Sequence, residues 1–235
     1  MVLNNMKSKV YFIPAKETDS LEVISARLKT LIDKSGVLDF IRPEYKTAVK
    51  IHFGEEGNTG FVRSEYVRLV CQGILKRGAK ASLSDTNTLY RGRRTNSKDH
   101  LRIAAEHGFT KEAVGVDIVI PDDSKKENTI DLEINKKFIK TAKVVRLFVD
   151  ADAIVGISHF KGHIMTGFGG ALKNLGMGCA TREGKLMQHV DVSPVVYDSQ
   201  CIGCGECAKI CPAGAIVIKN KKSVIDNLKC IGCAS

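Results

Sequence analysis

The sequence has no tryptophan, and only 6% of its 235 residues are aromatic. No stretch interleaves aromatic with basic side chains, the arrangement that stacks unpaired bases. Nucleic acid is therefore a disfavoured partner despite a pI near 9.2. No apolar run approaches the roughly 18 residues that a membrane-spanning helix needs. The opening MVLNNMKSKVYFIP contains no apolar signal core, so the expectation is a cytoplasmic protein with no membrane partner. Acidic residues are also in short supply. There are 26 against 36 lysines and arginines, a net charge of +10, which predicts attraction to anions without naming them. The hydrophobic and charged fractions, 43% and 26%, are those of globular chains and argue against wholesale disorder.

Eight cysteines are present and unevenly placed: Cys71 and Cys179 stand alone, and six fall between Cys201 and Cys233. A disulfide framework spreads its cysteines through a short secreted chain, whereas six gathered in the tail of a reduced protein read as metal ligands. Cys71 lies in the helical pattern SEYVRLVCQGIL and reads as a core residue. Cys179 reads first as core, with a reactive thiol or an extra ligand as the alternative.

The first 195 residues alternate strand-like and helix-like stretches. Short apolar runs predict strands at 9–13, 47–53, 79–83, 116–120 and 153–158, and an alternating stretch predicts an edge strand at 129–134. Helical spacing predicts helices at 20–34, 64–77, 98–107 and 141–150, and a glycine-opened one at 166–175. Strands separated by helices argue for parallel βαβ units. The expected fold class is α/β, a mostly parallel sheet flanked by helices over residues 1–195. After Pro194 the spacing of cysteine and glycine replaces hydrophobic periodicity, which sets off 196–235 as a second, small domain. From Val196 onward there are five lysines and three acids, so most of the positive surplus belongs to the large domain.

Cys201, Cys204, Cys207 and Cys211, followed by Pro212, form C-x2-C-x2-C-x3-C-P. Thiolates two residues apart wrap a tight loop around one iron–sulfur cluster. Gly203 and Gly205 let the backbone come close and turn its N–H groups toward sulfur, and Pro212 stops a helix from continuing. Structural zinc uses two C-x2-4-C pairs separated by a longer stretch, so zinc is the lesser reading. The segments CIGCGECAKICPAGAI at 201–216 and KCIGC at 229–233 resemble the ferredoxin-type [4Fe-4S] domain. That resemblance implies a small α+β domain with two [4Fe-4S] clusters and a redox partner protein. Cys201, Cys204 and Cys207 would hold the first cluster, and Cys211, Cys230 and Cys233 the second. The family gives each cluster four thiolates, and the missing cysteines would fall beyond Ser235. The expectation is a chain that continues in the full-length protein and completes both clusters there.

Three predicted strands end in polar groups: Lys50 and His52, then Asp85, then His159, Lys161 and His163. In open α/β sheets ligands bind outside the carboxyl ends of the strands. If the three strands are neighbours these residues converge, and His52, Asp85, His159, Lys161 and His163 are the candidate catalytic residues. Neutral imidazoles with a carboxylate suit a divalent metal, and a single histidine suits a proton shuttle; each alone also reads as an ordinary strand-end residue capping a turn. There is no H-E-x-x-H motif. Gly167, Gly169 and Gly170 open a predicted helix carrying Lys173, which suits an anion as well as it suits close helix–sheet packing. Leu172 breaks a dinucleotide fingerprint, and no G-K-[ST] makes a phosphate loop. Arg91, Arg93 and Arg94 are placed to fork onto an anionic small molecule or to form a solvated basic loop.

KIHFGEEGNTG, SLSDTNTLYRGRR, HLRIAAEHGF and ISHFKGHIMTGFGGALKNLGMG resemble the family catalogued as domain of unknown function 362, over most of residues 8–190. Members of that family often carry ferredoxin clusters after it. The resemblance implies an iron–sulfur protein of uncharacterised activity and supplies neither substrate nor catalytic residues. The expected function is electron transfer coupled to an anion-binding α/β domain, as an oxidoreductase or a subunit of one. The alternatives are a partner-docking module, or a non-redox metal-dependent enzyme in which the clusters are structural.

Overall fold

Ser20 caps the first helix by accepting from the Val23 N–H at 3.4 Å, and Gly36 leaves that helix at φ +62°, a left-handed turn that favours glycine. This helix is α1 (Leu21–Ser35). The computed structural model describes residues 9–89, 92–163, 167–189, 194–227, 229–230 and 232. After α1 the chain forms β1 (Lys46–Lys50), α2 (Ser64–Leu75), β2 (Lys80–Ser84), α3 (Ser97–Glu106), α4 (Lys111–Val114) and β3 (Asp117–Val119). Next come β4 (Thr129–Glu133), β5 (Thr141–Val145), α5 (Arg146–Val149), β6 (Ala153–Gly156), β7 (Lys161–His163), β8 (Gly167–Gly169), α6 (Ala171–Gly176) and α7 (Arg182–His189). The tail holds α8 (Glu206–Ile210), β9 (Ile216–Lys219) and β10 (Lys222–Ile225).

The central sheet has four parallel strands in the order β3-β2-β1-β6. The chain lays β1, β2 and β3 outward in one direction and then returns to place β6 on the other side of β1. The strand order therefore reverses between β1 and β6, and a sheet of this kind opens a crevice at that point, outside the carboxyl ends of its strands.

The core forms where β1 and β2 meet α1, α2 and α3. Val67, Cys71 and Ile74 follow one another at helical spacing along α2 and are fully buried against Val49, Ile51, Phe53 and Leu83. Phe53 meets Phe109 edge-on with centroids 5.1 Å apart. Each such side chain contributes about 1.5–3 kcal/mol on leaving water. Asn96 caps α3 by accepting from Asp99 N–H at 2.9 Å, and α3 buries His100, Ile103 and Ala104.

The α/β class stands, and several elements differ from expectation. Residues 9–13 form no strand: Val10 and Phe12 are exposed, and no strand among the described residues pairs with the run. The stretch 141–150 is a strand for its first half. Thr141, Val144 and Val145 are β-branched, and β5 pairs antiparallel with β4 from Thr129↔Val145 to Glu133↔Thr141, leaving one helical turn in α5. The expected edge strand at 129–134 thus belongs to a separate hairpin. The glycine-opened helix starts only at Ala171; Gly167–Gly169 pairs antiparallel with Lys161–His163 instead. Among the described residues no helix is long and apolar enough to cross a membrane.

The tail is built around the β9–β10 hairpin, paired from Lys222↔Lys219 to Ile225↔Ile216. Its two-residue turn, Asn220 and Lys221, has φ of 50° and 57°, the left-handed pair whose twist suits a tight hairpin.

Candidate functional site

The carboxyl ends of β1 and β2 carry Lys50 and Asp85, and both are buried. A buried lysine is tolerated only when its donors are satisfied. Lys50 Nζ donates to Asp85 Oδ1 at 2.8 Å, to Asn174 Oδ1 at 2.9 Å and to the Ile51 carbonyl at 2.9 Å. The space it occupies depends on Gly178, where a Cβ would fall 2.0 Å from the Asn174 carbonyl and 2.7 Å from Lys50 Nζ. Asp85 has a second cation: Arg94 donates to its Oδ2 at 3.0 Å, and Arg94 also pairs with Glu55. Burial alone would raise the pKa of Asp85. The charges of Lys50 and Arg94 outweigh burial and hold it well below the usual carboxylate range.

Two histidines flank this carboxylate. Arg94 Nε donates to His100 Nε2 at 3.0 Å, so that nitrogen accepts and the fully buried ring is neutral, with its proton on Nδ1 facing Asn87 Oδ1 at 3.4 Å. Burial lowers the pKa of His100, against the pull of Asp85. His52, half-buried, sets Nδ1 3.8 Å from Asp85 Oδ2, and burial lowers its pKa as well.

Asn174 of α6 joins the strands beneath the site. Its Nδ2 donates to the Ile157 carbonyl at 3.0 Å, to Ser158 Oγ at 2.9 Å and to the Lys50 carbonyl at 3.3 Å. On the β2 side, Lys185 of α7 donates to Thr86 Oγ1, to the Asn87 carbonyl at 2.7 Å and to the Ala180 carbonyl at 2.9 Å. Burial lowers the pKa of Lys185 to about 8.

These groups surround a crevice of about 500 Å³, a volume suited to a small molecule. Lys50, His52, Asp85, His159, Lys161 and His163 all line it. So do Gly169, Gly170, Lys173 and Arg94, whereas Gly167 lies on the exposed hairpin outside. Arg93 points away and pairs with Glu56 at 2.9 Å and Glu106 at 2.5 Å on the surface. Arg91 lies outside the described residues. Both described arginines of that loop thus answer carboxylates of this chain. Among the described residues no three His, Cys, Asp or Glu side chains converge on a single metal ion.

Sequence reasoning missed Asn174, Lys185 and His100. Asn174 lies inside the glycine-rich motif and was readable as a polar residue facing strand ends. Lys185 sits in an ordinary polar helix, and its sequence carries no signal of burial. Cys71 is fully buried and burial pushes its thiol up to about 12. Cys179 is also buried with its thiol pushed up, near Lys50 and Asp85 but inside the packed layer.

In the tail the sulfurs meet backbone N–H groups. Ser223 N–H donates to Cys201 Sγ at 3.3 Å and Ala215 N–H to Cys211 Sγ at 3.3 Å, while Cys207 Sγ lies 3.1 Å from Ser223 Oγ. The N–H groups of Ser223 and Gly203 and the Ser223 hydroxyl lower the pKa of Cys201 toward the thiolate form. Gly203 has φ +70°, and a Cβ there would sit 2.2 Å from the Lys221 carbonyl, so the cysteine loop packs on the hairpin turn through a bare backbone. Donor N–H groups aimed at sulfur suit a thiolate-ligated iron–sulfur cluster. Cys230 is described and half-buried; Cys233 lies outside the described residues.

A family model described as domain of unknown function (DUF362) matches residues 47–228. A protein from Sinorhizobium fredii described as "ferredoxin-like protein in nif region" is 51% identical over 38 residues, 16% of this chain and 59% of that relative. The chain thus spans less than two thirds of that relative's length. Among solved structures, the lactate racemase apoprotein from Thermoanaerobacterium thermosaccharolyticum superposes with a TM-score of 0.48 at 16% identity, over 66% of this chain and 36% of the racemase chain.

Proposed function

The chain belongs to the DUF362 family, and from that premise we propose that it is an iron–sulfur redox protein whose cysteine-rich tail passes electrons to or from a small anion in the crevice of the α/β unit. The observation that carries this reading is the set of N–H donors on the tail's sulfurs, from Ser223 to Cys201 and from Ala215 to Cys211. The short match to a ferredoxin-like protein supports it as well. Cys201, Cys204 and Cys207 would hold one [4Fe-4S] cluster, and Cys211, Cys230 and Cys233 would belong to a second. Such clusters supply one-electron transfer when bound. The proposal includes a reducing, cytoplasmic setting and a partner protein that exchanges electrons with the tail.

The crevice residues do the rest. Lys50 and Arg94 are committed to Asp85, so their charges are answered within the floor of the crevice. Lys161, Lys173 and Lys185 supply positive charge at the walls. His52 has Asp85 beside Nδ1, which leaves Nε2 on the other side of the ring to take or give a proton. A redox reaction on an anion commonly moves protons with electrons, and His52 is the group positioned to carry one.

The test is absorption and electron paramagnetic resonance spectroscopy on anaerobically purified, iron- and sulfide-reconstituted protein. The expected result is broad visible absorption that bleaches on reduction, with a paramagnetic signal in the reduced state. Iron-free protein after reconstitution of the full-length chain would overturn the reading.

A further inference from the structure

Among the described residues, two ammonium groups on one wall of the crevice have no carboxylate to answer them. Lys161 comes from β7 and Lys173 from α6, and their stems pass the same point. A Cβ on Gly169 would lie 3.8 Å from Lys173 Cδ and 3.9 Å from Lys161 Cγ. Among the described residues neither lysine forms an ion pair, in contrast to Lys50 and Arg94, which share Asp85. Lys173 donates instead to His163 Nε2, which fixes the direction of its ammonium group. Burial and then the charge of Lys161 lower the pKa of Lys173, and burial with both lysines lowers that of His163. Without a ligand, this wall brings like charges together in a partly desolvated place, which is unfavourable.

An anion relieves that repulsion, and the geometry limits which anion. The two stems flank Gly169 on the same wall of the crevice, close enough for the charge of Lys161 to act on Lys173. A monocarboxylate leaves one lysine unmatched. A dicarboxylate carries its two charges at separate ends. A phosphoryl group of a monoester carries between one and two negative charges near neutral pH on a single tetrahedral group, and its several acceptor oxygens serve donors from two directions. The remainder of the crevice, of about 500 Å³ in all, then has room for the organic part on the side of His52 and Asp85.

We propose that Lys161 and Lys173 form a phosphate subsite that holds the phosphoryl group of a phosphomonoester, with the rest of that molecule directed along the crevice. This rests on the anion-binding reading of the crevice given above and narrows its ligand class.

Isothermal titration of the full-length, cluster-loaded protein with inorganic phosphate, succinate and acetate at fixed ionic strength tests it. Phosphate should bind at least ~10-fold more tightly than acetate or succinate, and Lys161→Gln and Lys173→Gln should each weaken phosphate about 10-fold, the scale of one charge-assisted hydrogen bond. Lys80→Gln, which breaks a surface pair with Glu44 outside the crevice, should leave the affinity unchanged. Lys161 is exposed, so its substitution tests the subsite even if the Lys173 variant folds poorly. Phosphate affinity unaltered in the Lys161 variant, or succinate bound as tightly as phosphate, would overturn the subsite and leave the anion crevice standing. Binding of none of the three would overturn both, while the visible spectrum of the same sample reports the clusters independently.

Discussion

Lys50 Nζ and Asp85 Oδ1 lie 2.8 Å apart at the carboxyl ends of two adjacent parallel strands, both side chains almost wholly out of water. The pair ties β1 to β2 at the base of the crevice, and Arg94 supplies a second positive charge to the same carboxylate. Glu55 answers Arg94 from its other side, so two cations are balanced by two carboxylates.

Asp85→Asn strands Lys50 as a buried, uncompensated cation and leaves Arg94 with Glu55 alone. Removing one partner of a buried ion pair costs about 3–5 kcal/mol. Urea denaturation should show a loss of that order, and Glu44→Gln, at an exposed pair with Lys80, should be nearly silent by the same measurement. A fully stable Asp85→Asn protein would remove the network from the folding account.

Stability should fall as the solution is acidified from neutrality. His100 is buried and neutral with a pKa held below its ordinary 6.5. Between that ordinary value and its folded value the unfolded chain binds more protons than the folded one, so unfolding is favoured as pH drops through this window. The contribution is fully present above the unfolded value. Denaturation midpoints measured from pH 7.5 down to pH 5 should decline, and His100→Gln should flatten that slope whatever it does to the absolute midpoint.

Gly203→Ala should damage the tail and spare the α/β unit. Its Cβ would meet the Lys221 carbonyl at 2.2 Å in a conformation with φ +70° that side chains avoid. Iron content per chain should drop after reconstitution, while the urea transition of the α/β unit stays where it was. Full iron loading in this variant would mean that the loop tolerates a different path.

Thiol labelling of metal-free protein at pH 7.5 should separate the cysteines into two classes. Cys201, with its thiol biased toward thiolate by Ser223 and Gly203, belongs to the fast class. Cys71, whose thiol is pushed up to about 12, and the buried Cys179 should label only after denaturant is added. Mass spectrometry of the digested product identifies each site, and rapid labelling of Cys71 would contradict its place in the core.

The parallel sheet was readable from sequence because β1, β2 and β6 are apolar runs bounded by helices of ordinary amphipathic spacing. Their polar ends could be named as one site because strand ends in such sheets share a rim. Residues 141–150 misled because Val144, Val145, Leu147 and Phe148 satisfy helical spacing as well as they fit a strand followed by one turn. Only pairing with Thr129–Glu133, a tertiary fact, decides between them. The apolar run at 9–13 had no partner strand among the described residues to make it one. Lys185 was invisible because its burial comes from Thr86, Asn87 and Ala180, which reach it across the fold.

Asn174 follows Lys173 in α6, and its amide grips the carbonyls of Lys50, the last residue of β1, and of Ile157, just past the end of β6. The Lys50 carbonyl also receives the Ile157 N–H at 2.8 Å, so helix and sheet draw on the same oxygen. The residue next to Lys173 thereby closes the seam between β1 and the segment that follows β6, so the crevice wall and the sheet are fastened at one shared acceptor.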